Sequence, residues 1–169
     1  MAAPSIQTLQ RIADETGHQA GTLEKVIRLL DILQEVAGDT ILSERLALKG
    51  GTALNVFHLG LDRLSVDIDL NYVGALDRSA MEAERPEVEA ALNRLLASQG
   101  YVVRRRPDEH AGGKWLLRFD SALGGNGLTA PFGWLPAEKA RKRPAPSLAR
   151  MLSARIERAE LPVQRNRTL

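Results

Sequence analysis

Apolar residues recur at three- and four-residue steps in two stretches near the start of the chain. Ile6, Leu9 and Ile12 mark one stripe, and Leu23, Val26, Leu29, Leu30, Ile32, Leu33 and Val36 mark a broader one. That spacing predicts helices over 5–16 and 20–37, with Gly17 and Gly38 as natural stops. A further helical turn over 41–46 leads into a short apolar run, Leu46-Ala47-Leu48, which predicts a first strand ending in a sharp turn at Gly50-Gly51. Helical spacing returns with Leu54, Phe57, His58 and Leu61, and Val66 to Val73 reads as a second strand. A long amphipathic helix is predicted over 77–98, with Val88, Leu92, Leu95 and Leu96 as its apolar side. Pro86 marks a break in that helix or the true start of its packed portion. Glu82, Glu84, Glu87 and Glu89 crowd its front half and read as a solvated face. Tyr101 to Arg106 and Lys114 to Asp120 predict a hairpin turning at Gly112-Gly113, with Trp115, Leu117 and Phe119 on one side. Helices followed by strands in this order indicate an α+β fold, a mixed sheet flanked by helices.

The chemistry concentrates between the first two strands. Asp67 and Asp69 are two apart, so on a strand both carboxylates project from one face while Val66, Ile68 and Leu70 take the other. Like charges side by side repel unless something neutralises them. Mg²⁺ does so directly, taking one or two carboxylates with substrate phosphates and water. An isolated Asp-x-Asp is ordinarily the solvent face of an edge strand. Here a Gly50-Gly51-Thr52 turn stands upstream, where backbone N–H groups at a helix start favour anions and Thr52 adds a hydroxyl. Ser65 shares the parity of the acids. Arg63, just ahead of them, suits either a nucleotide phosphate or a bridge to Asp67 or Asp69. Lys114 and Arg118 are further candidates for phosphate contacts, and Asp120 for a third carboxylate. The run Arg104-Arg105-Arg106 falls on both faces of its strand, so at least two of the three can reach a polyanion, although solvated charge is the commoner role.

The stretch GGTALNVFHLGLDRLSVDIDLNYVG resembles the signature of the AbiEii/AbiGii-type nucleotidyltransferase toxins, a branch of the DNA polymerase β-like superfamily. That pattern is a Gly-Gly turn, a helix, and Asp-x-Asp on the next strand, with the acids preceded by Arg-x-Ser-x, here Arg63-Leu64-Ser65-Val66. The resemblance continues through GGKWLLRFDSALGGNG, residues 112–127. It implies a minimal polymerase β-like nucleotidyltransferase fold over 1–127, with N-terminal helices at 5–37 and the catalytic motif at 46–74. It also implies Asp67 and Asp69 as Mg²⁺ ligands, Ser65 as a functional residue, and Gly50, Gly51, Thr52, Arg63 and Lys114 around the nucleotide. The implied substrates are an NTP and an RNA acceptor, a tRNA 3′ end above all, and the implied partner is a cognate antitoxin.

Composition adjusts this picture at its far end. Residues 128–169 carry nine Lys and Arg against three Glu, no Asp, and five of the eight prolines. The other 127 residues carry 14 Lys and Arg against 18 Asp and Glu. A basic, Pro/Arg-rich tail that orders poorly is expected there, in place of the strand with a third acid and the triphosphate-binding lysine that the resemblance implies. Such a composition is what a shifted reading frame produces, and the C-terminal part is expected to be altered or truncated relative to the family. A remnant with impaired turnover that binds nucleotide or nucleic acid is the alternative function. Cysteine is absent, which excludes disulfides and thiolate metal sites and fits a cytoplasmic protein. No apolar run approaches the roughly 20 residues of a membrane span.

Overall fold

A computed structural model describes residues 4–51, 64–75, 77–107, 113–124 and 128–132, with the backbone alone for 105–107, 113, 114 and 128–132. The helices follow the apolar stripes closely. α1 spans Ile6–Thr16, capped by Ser5, whose hydroxyl accepts from the Thr8 N–H, and closed by Gly17 at φ 73°. α2 spans Ala20–Gly38 and buries Leu29, Ile32, Leu33 and Val36 on one stripe. Its stop is Asp39 rather than Gly38. The Asp39 carboxylate accepts from the N–H groups of Ile41 and Leu42 (2.8 and 2.9 Å) and so starts α3, Leu42–Arg45.

β1 (Leu46–Lys49) pairs antiparallel with β2 (Asp69–Tyr72) in the register Leu46–Tyr72, Ala47–Asn71, Leu48–Leu70 and Lys49–Asp69. α4, Arg78–Ser98, begins at the capping carboxylate of Asp77 and runs unbroken through Pro86. The break expected at that proline does not occur. Met81 lies buried before it and Val88, Ala91 and Leu92 after it, so core packing holds both halves in line while the exposed ring faces water. β3 (Val102–Pro107), β4 (Gly113–Arg118) and β5 (Leu128–Phe132) form a second antiparallel sheet in that order. The class is α+β, and every described strand pair is antiparallel.

β5 extends the sheet beyond residue 127, where the sequence suggested that the core ends. Pro131 is compatible with a strand there because β5 is the outer strand of its sheet, where a missing N–H donor is tolerated. β5 also adjoins β2, so the two sheets meet along that line. One apolar cluster unites them: Leu29, Ile32 and Val36 of α2, Val88 and Leu92 of α4, Leu48 and Leu70 of the first sheet, and Trp115 and Leu117 of the second. The Trp115 indole N–H donates to Asn93 on α4 (3.0 Å), which satisfies the polar atom of a fully buried ring. Among the described residues no helix is long and apolar enough to cross a membrane.

Candidate active site

The centre of the site is the place where β1 ends. Gly50 follows Lys49 with φ 76°, a conformation that a residue with a Cβ rarely adopts. Space imposes the same choice. A Cβ on Gly50 would stand 2.3 Å from Oδ2 of Asp69, so the carboxylate rests directly against the glycine backbone. Gly51 faces Ser65 more loosely, with 3.5 Å between its would-be Cβ and the serine Oγ. Gly50, Gly51, Ser65 and Asp69 are therefore gathered into one small volume.

The second strand is shorter than the expected 66–73. It begins at Asp69 because its partner β1 ends at Lys49, and Gly50 turns the chain away before a partner for Asp67 could form. The alternation of faces nevertheless runs on through 67–72. Ile68, Leu70 and Tyr72 are buried, whereas Asp67 is exposed and Asp69 and Asn71 are half-buried. Val66, expected on the core face, is only half-buried.

The far end of β2 is clamped. The Tyr72 hydroxyl donates to Glu84 on α4, and Arg45 Nε donates to the same carboxylate oxygen at 2.9 Å. The Val73 N–H donates to the Arg45 carbonyl at 2.8 Å. A Cβ on Gly74 would meet the Tyr72 hydroxyl at 2.7 Å and Arg45 Cγ at 2.9 Å, so the chain can pass there only as glycine. Burial, and then the bond to Glu84, push the Tyr72 phenol well above its ordinary value. The donated bonds from Tyr72 and then Arg45 hold Glu84 below the usual carboxylate range. Glu84 thus ties α4 to β2, and the acidic front of α4 is not a uniformly solvated face. Glu82 and Glu89 are likewise paired, with Arg78 and Arg85, both at 2.6 Å.

Of the residues singled out from the sequence, Thr52 and Arg63 lie outside the described residues. Lys114 stands on β4, in register with Arg106 and Pro131, and β5 lies between its strand and β2. Asp120 does not join the other acids. It is exposed beyond the end of β4, its carbonyl accepts from Arg28 (2.8 Å), and it lines a shallow groove with Gly100, Val102 and Arg118. Among the described residues no three acidic or histidine side chains converge as a metal cluster.

Two residues join the site that the sequence alone did not single out. Lys49 is half-buried, directly across from Asp69, and among the described residues makes no hydrogen bond or ion pair. Asn71, across from Ala47 on the same face, has a buried Oδ1 with no hydrogen-bond partner among the described residues. Such an orphan costs about 1–3 kcal/mol. The signal for Lys49 was its place one residue before the glycine turn; its apposition to Asp69 depends on strand register.

This arrangement sets carboxylates, a glycine turn and a lysine close together along the chain's first ladder. Two carboxylates supply hard oxygen ligands suited to Mg²⁺, which needs few protein donors when phosphates and water complete its shell. The Gly50 backbone touches the Asp69 carboxylate, and Lys49 stands across the ladder from it. A family model described as the nucleotidyl transferase AbiEii toxin of type IV toxin–antitoxin systems matches residues 31–149. The match takes in β1, the glycine turn, β2 and all three strands of the second sheet, and it runs past the residue at which the sequence resemblance stops. A search of curated proteins finds no match.

Proposed function

We propose that this chain, which belongs to the AbiEii family of nucleotidyltransferase toxins, transfers a nucleoside monophosphate from an NTP to an RNA acceptor. The acceptor we favour is a tRNA 3′ end, and the cognate antitoxin is the partner that restrains the reaction. The observation that carries this reading is the packing of the Asp69 carboxylate against Gly50, with Ser65 beside Gly51 and Lys49 across the ladder. A nucleotide triphosphate is the ligand whose anionic oxygens suit glycine N–H groups and an ammonium while leaving room for a cation on the acids.

In this mechanism Asp67 and Asp69 would hold Mg²⁺, which would neutralise charge on the triphosphate. The Gly50–Gly51 backbone and Lys49 bind and orient the phosphates, and Ser65 sits where its hydroxyl can hydrogen-bond one of them. The acceptor hydroxyl attacks the α-phosphorus, a new P–O bond forms, and the bond to the bridging oxygen breaks as pyrophosphate leaves with the electron pair. The hydroxyl proton passes to solvent or to a phosphate oxygen.

β5 favours a second reading. It is the strand that adjoins β2, the place where a third acid is expected, and its sequence LTAPF has no carboxylate. A chain that binds nucleotide and turns over poorly fits that feature. Labelling of total tRNA from each of four α-³²P nucleoside triphosphates with Mg²⁺, in wild type beside Asp67→Ala and Asp69→Ala, separates the two. Labelled RNA that disappears in both variants supports transfer. Absence of label with nucleotide binding intact leaves the impaired remnant.

A further inference from the structure

The three strands of the second sheet, VVRRRP, GKWLLR and LTAPF, contain five Lys and Arg and no Asp or Glu. Their register sorts the positions by face. Val102 lies across from Arg118, Arg104 across from Leu116, and Arg106 across from Lys114, so these six positions share one face of the hairpin. The opposite face carries Leu117 and the fully buried Trp115, packed on the helices. The six-position face therefore looks away from the core. Arg104 and Arg118 are exposed, and Val102 between them is 63% exposed. Five other arginines, Arg11, Arg28, Arg45, Arg78 and Arg85, are each held by a neighbouring acid. Among the described residues, Arg104 and Arg118 have no ion pair or hydrogen bond.

Like this face, Asp69 of β2 stands on the side away from the core. Ile68 and Leu70 of β2 and Trp115 and Leu117 of β4 enter the same apolar cluster, so the sides of both sheets that bear Asp69 and Arg118 turn away from one shared core. β5 bridges them, adjoining β2 on one side and pairing with β4 on the other. From β5 across β4 to β3 is on the order of 10 Å, two strand spacings.

We propose that the outer face of the β3–β4 hairpin, with Arg104 and Arg118 at its centre, binds the phosphate backbone of the RNA acceptor and leads it to the acids. This rests on the transfer reading for the identity of the polyanion as acceptor. Charge favours RNA over a protein partner: the three strands carry no acid, Asp120 beside Arg118 lies beyond the end of β4, and the excess of cations suits a row of phosphates. The aliphatic Val102 and Leu116 between the cations give sugars and bases a dry surface to lie on.

The test is binding of the full chain to total tRNA along a potassium chloride series, read by fluorescence anisotropy. Arg104→Glu/Arg118→Glu is expected to weaken binding at least tenfold at about 0.1 M salt and to lower the slope of log affinity against log salt by about 1.5, from two lost phosphate contacts. Its melting temperature and its separately titrated NTP affinity stay at wild-type values, and Arg104→Lys/Arg118→Lys retains RNA binding. Unchanged tRNA affinity in the charge-reversed variant, or no tRNA binding by the wild type, overturns the proposal. Loss of antitoxin binding with tRNA binding intact also overturns it, in favour of a protein-docking face. RNA bound through this face but never labelled sinks the transfer reading instead. Labelling that survives charge reversal undiminished sinks the face alone.

Discussion

Glu24 and Asp69 are acids of the same fold, and they differ in what surrounds their oxygens. Glu24 on α2 is 1% exposed, and both of its oxygens are satisfied from within the protein. Oε1 accepts from Arg28 Nε (3.1 Å), Arg28 Nη2 (2.9 Å) and the Ala122 N–H (3.1 Å), and Oε2 accepts from the Ser121 hydroxyl (2.5 Å). Arg28 in turn stacks over Phe119 at 4.1 Å and donates to the Asp120 carbonyl, which locks the turn after β4 onto α2. Asp69 is half-buried against Gly50 and, among the described residues, receives no hydrogen bond or ion pair, although Lys49 stands across from it. Asn71 on the same face has an orphaned oxygen. One region has closed its polar network and serves stability. The other leaves the side chains of Asp69 and Lys49 and the Asn71 oxygen without a protein partner among the described residues.

The largest effects should come from exchanging those roles. Asp69→Asn keeps the shape beside Gly50 and removes the charge. Loss of several kcal/mol of transition-state stabilisation predicts about a thousandfold drop in transfer with the melting temperature almost unchanged. Glu24→Ala should do the reverse. It leaves Arg28 without its acid, and breaking such a buried pair costs about 3–5 kcal/mol, read as a lowered urea midpoint. Per folded molecule, transfer should stay near wild type. A Glu24 variant that folds normally but loses transfer would break the comparison.

The two glycines of the turn sharpen it further. Gly50→Ala must accommodate a left-handed backbone, at about 1–2 kcal/mol, and its new methyl must displace the Asp69 carboxylate. Since a shift of about 1 Å at a reacting centre can cost a hundredfold, transfer should fall about a hundredfold while stability falls only modestly. Gly51→Ala meets Ser65 at an ordinary contact distance and should be neutral for stability. Any rise in the KM for NTP in that variant then reports phosphate approaching the backbone at residue 51. Equal kinetics in the two alanine variants would count against Asp69 being held in place by Gly50.

Much of the scaffold was legible because apolar spacing reports burial directly. The stripe of α2, the Trp115–Leu117–Phe119 side of β4 and the Asp-x-Asp alternation are one-dimensional signals that the chain follows, whereas of the α1 stripe only Leu9 is buried and Ile6 is exposed. What was not legible depends on partners distant in sequence. β2 is half its expected length because a ladder is only as long as its shorter strand, and β1 stops at Lys49. α4 passes Pro86 because the core grips it on both sides. Glu84 looked solvated because nothing in its own helix foretells Tyr72 and Arg45, 12 and 39 residues away. β5 was hidden by its proline, which matters less on an outer strand. The apposition of Asp69 to Gly50, 19 positions apart, is a property of register and of one left-handed turn.

The smallest effect expected is on acid stability, and it returns to Glu24. Burial alone would raise its pKa, yet the bonds from Ser121, the Ala122 N–H and Arg28 together hold it below the usual glutamate range. A carboxylate with a lowered folded-state pKa binds fewer protons in the native than in the unfolded chain. Its contribution is therefore fully present above the ordinary glutamate value near 4.5 and is lost as pH falls through the lowered one. Urea midpoints measured from pH 6 to pH 3 should fall more steeply for wild type than for Glu24→Gln, which has no proton to take up. Ser121→Ala should show an intermediate slope, because one of the bonds that lowers the pKa is gone. Parallel pH profiles for wild type and Glu24→Gln would show that the network around Glu24 does not discriminate the charged acid from its amide. The contrast between a closed network there and an open one at Asp69 would then rest on burial alone.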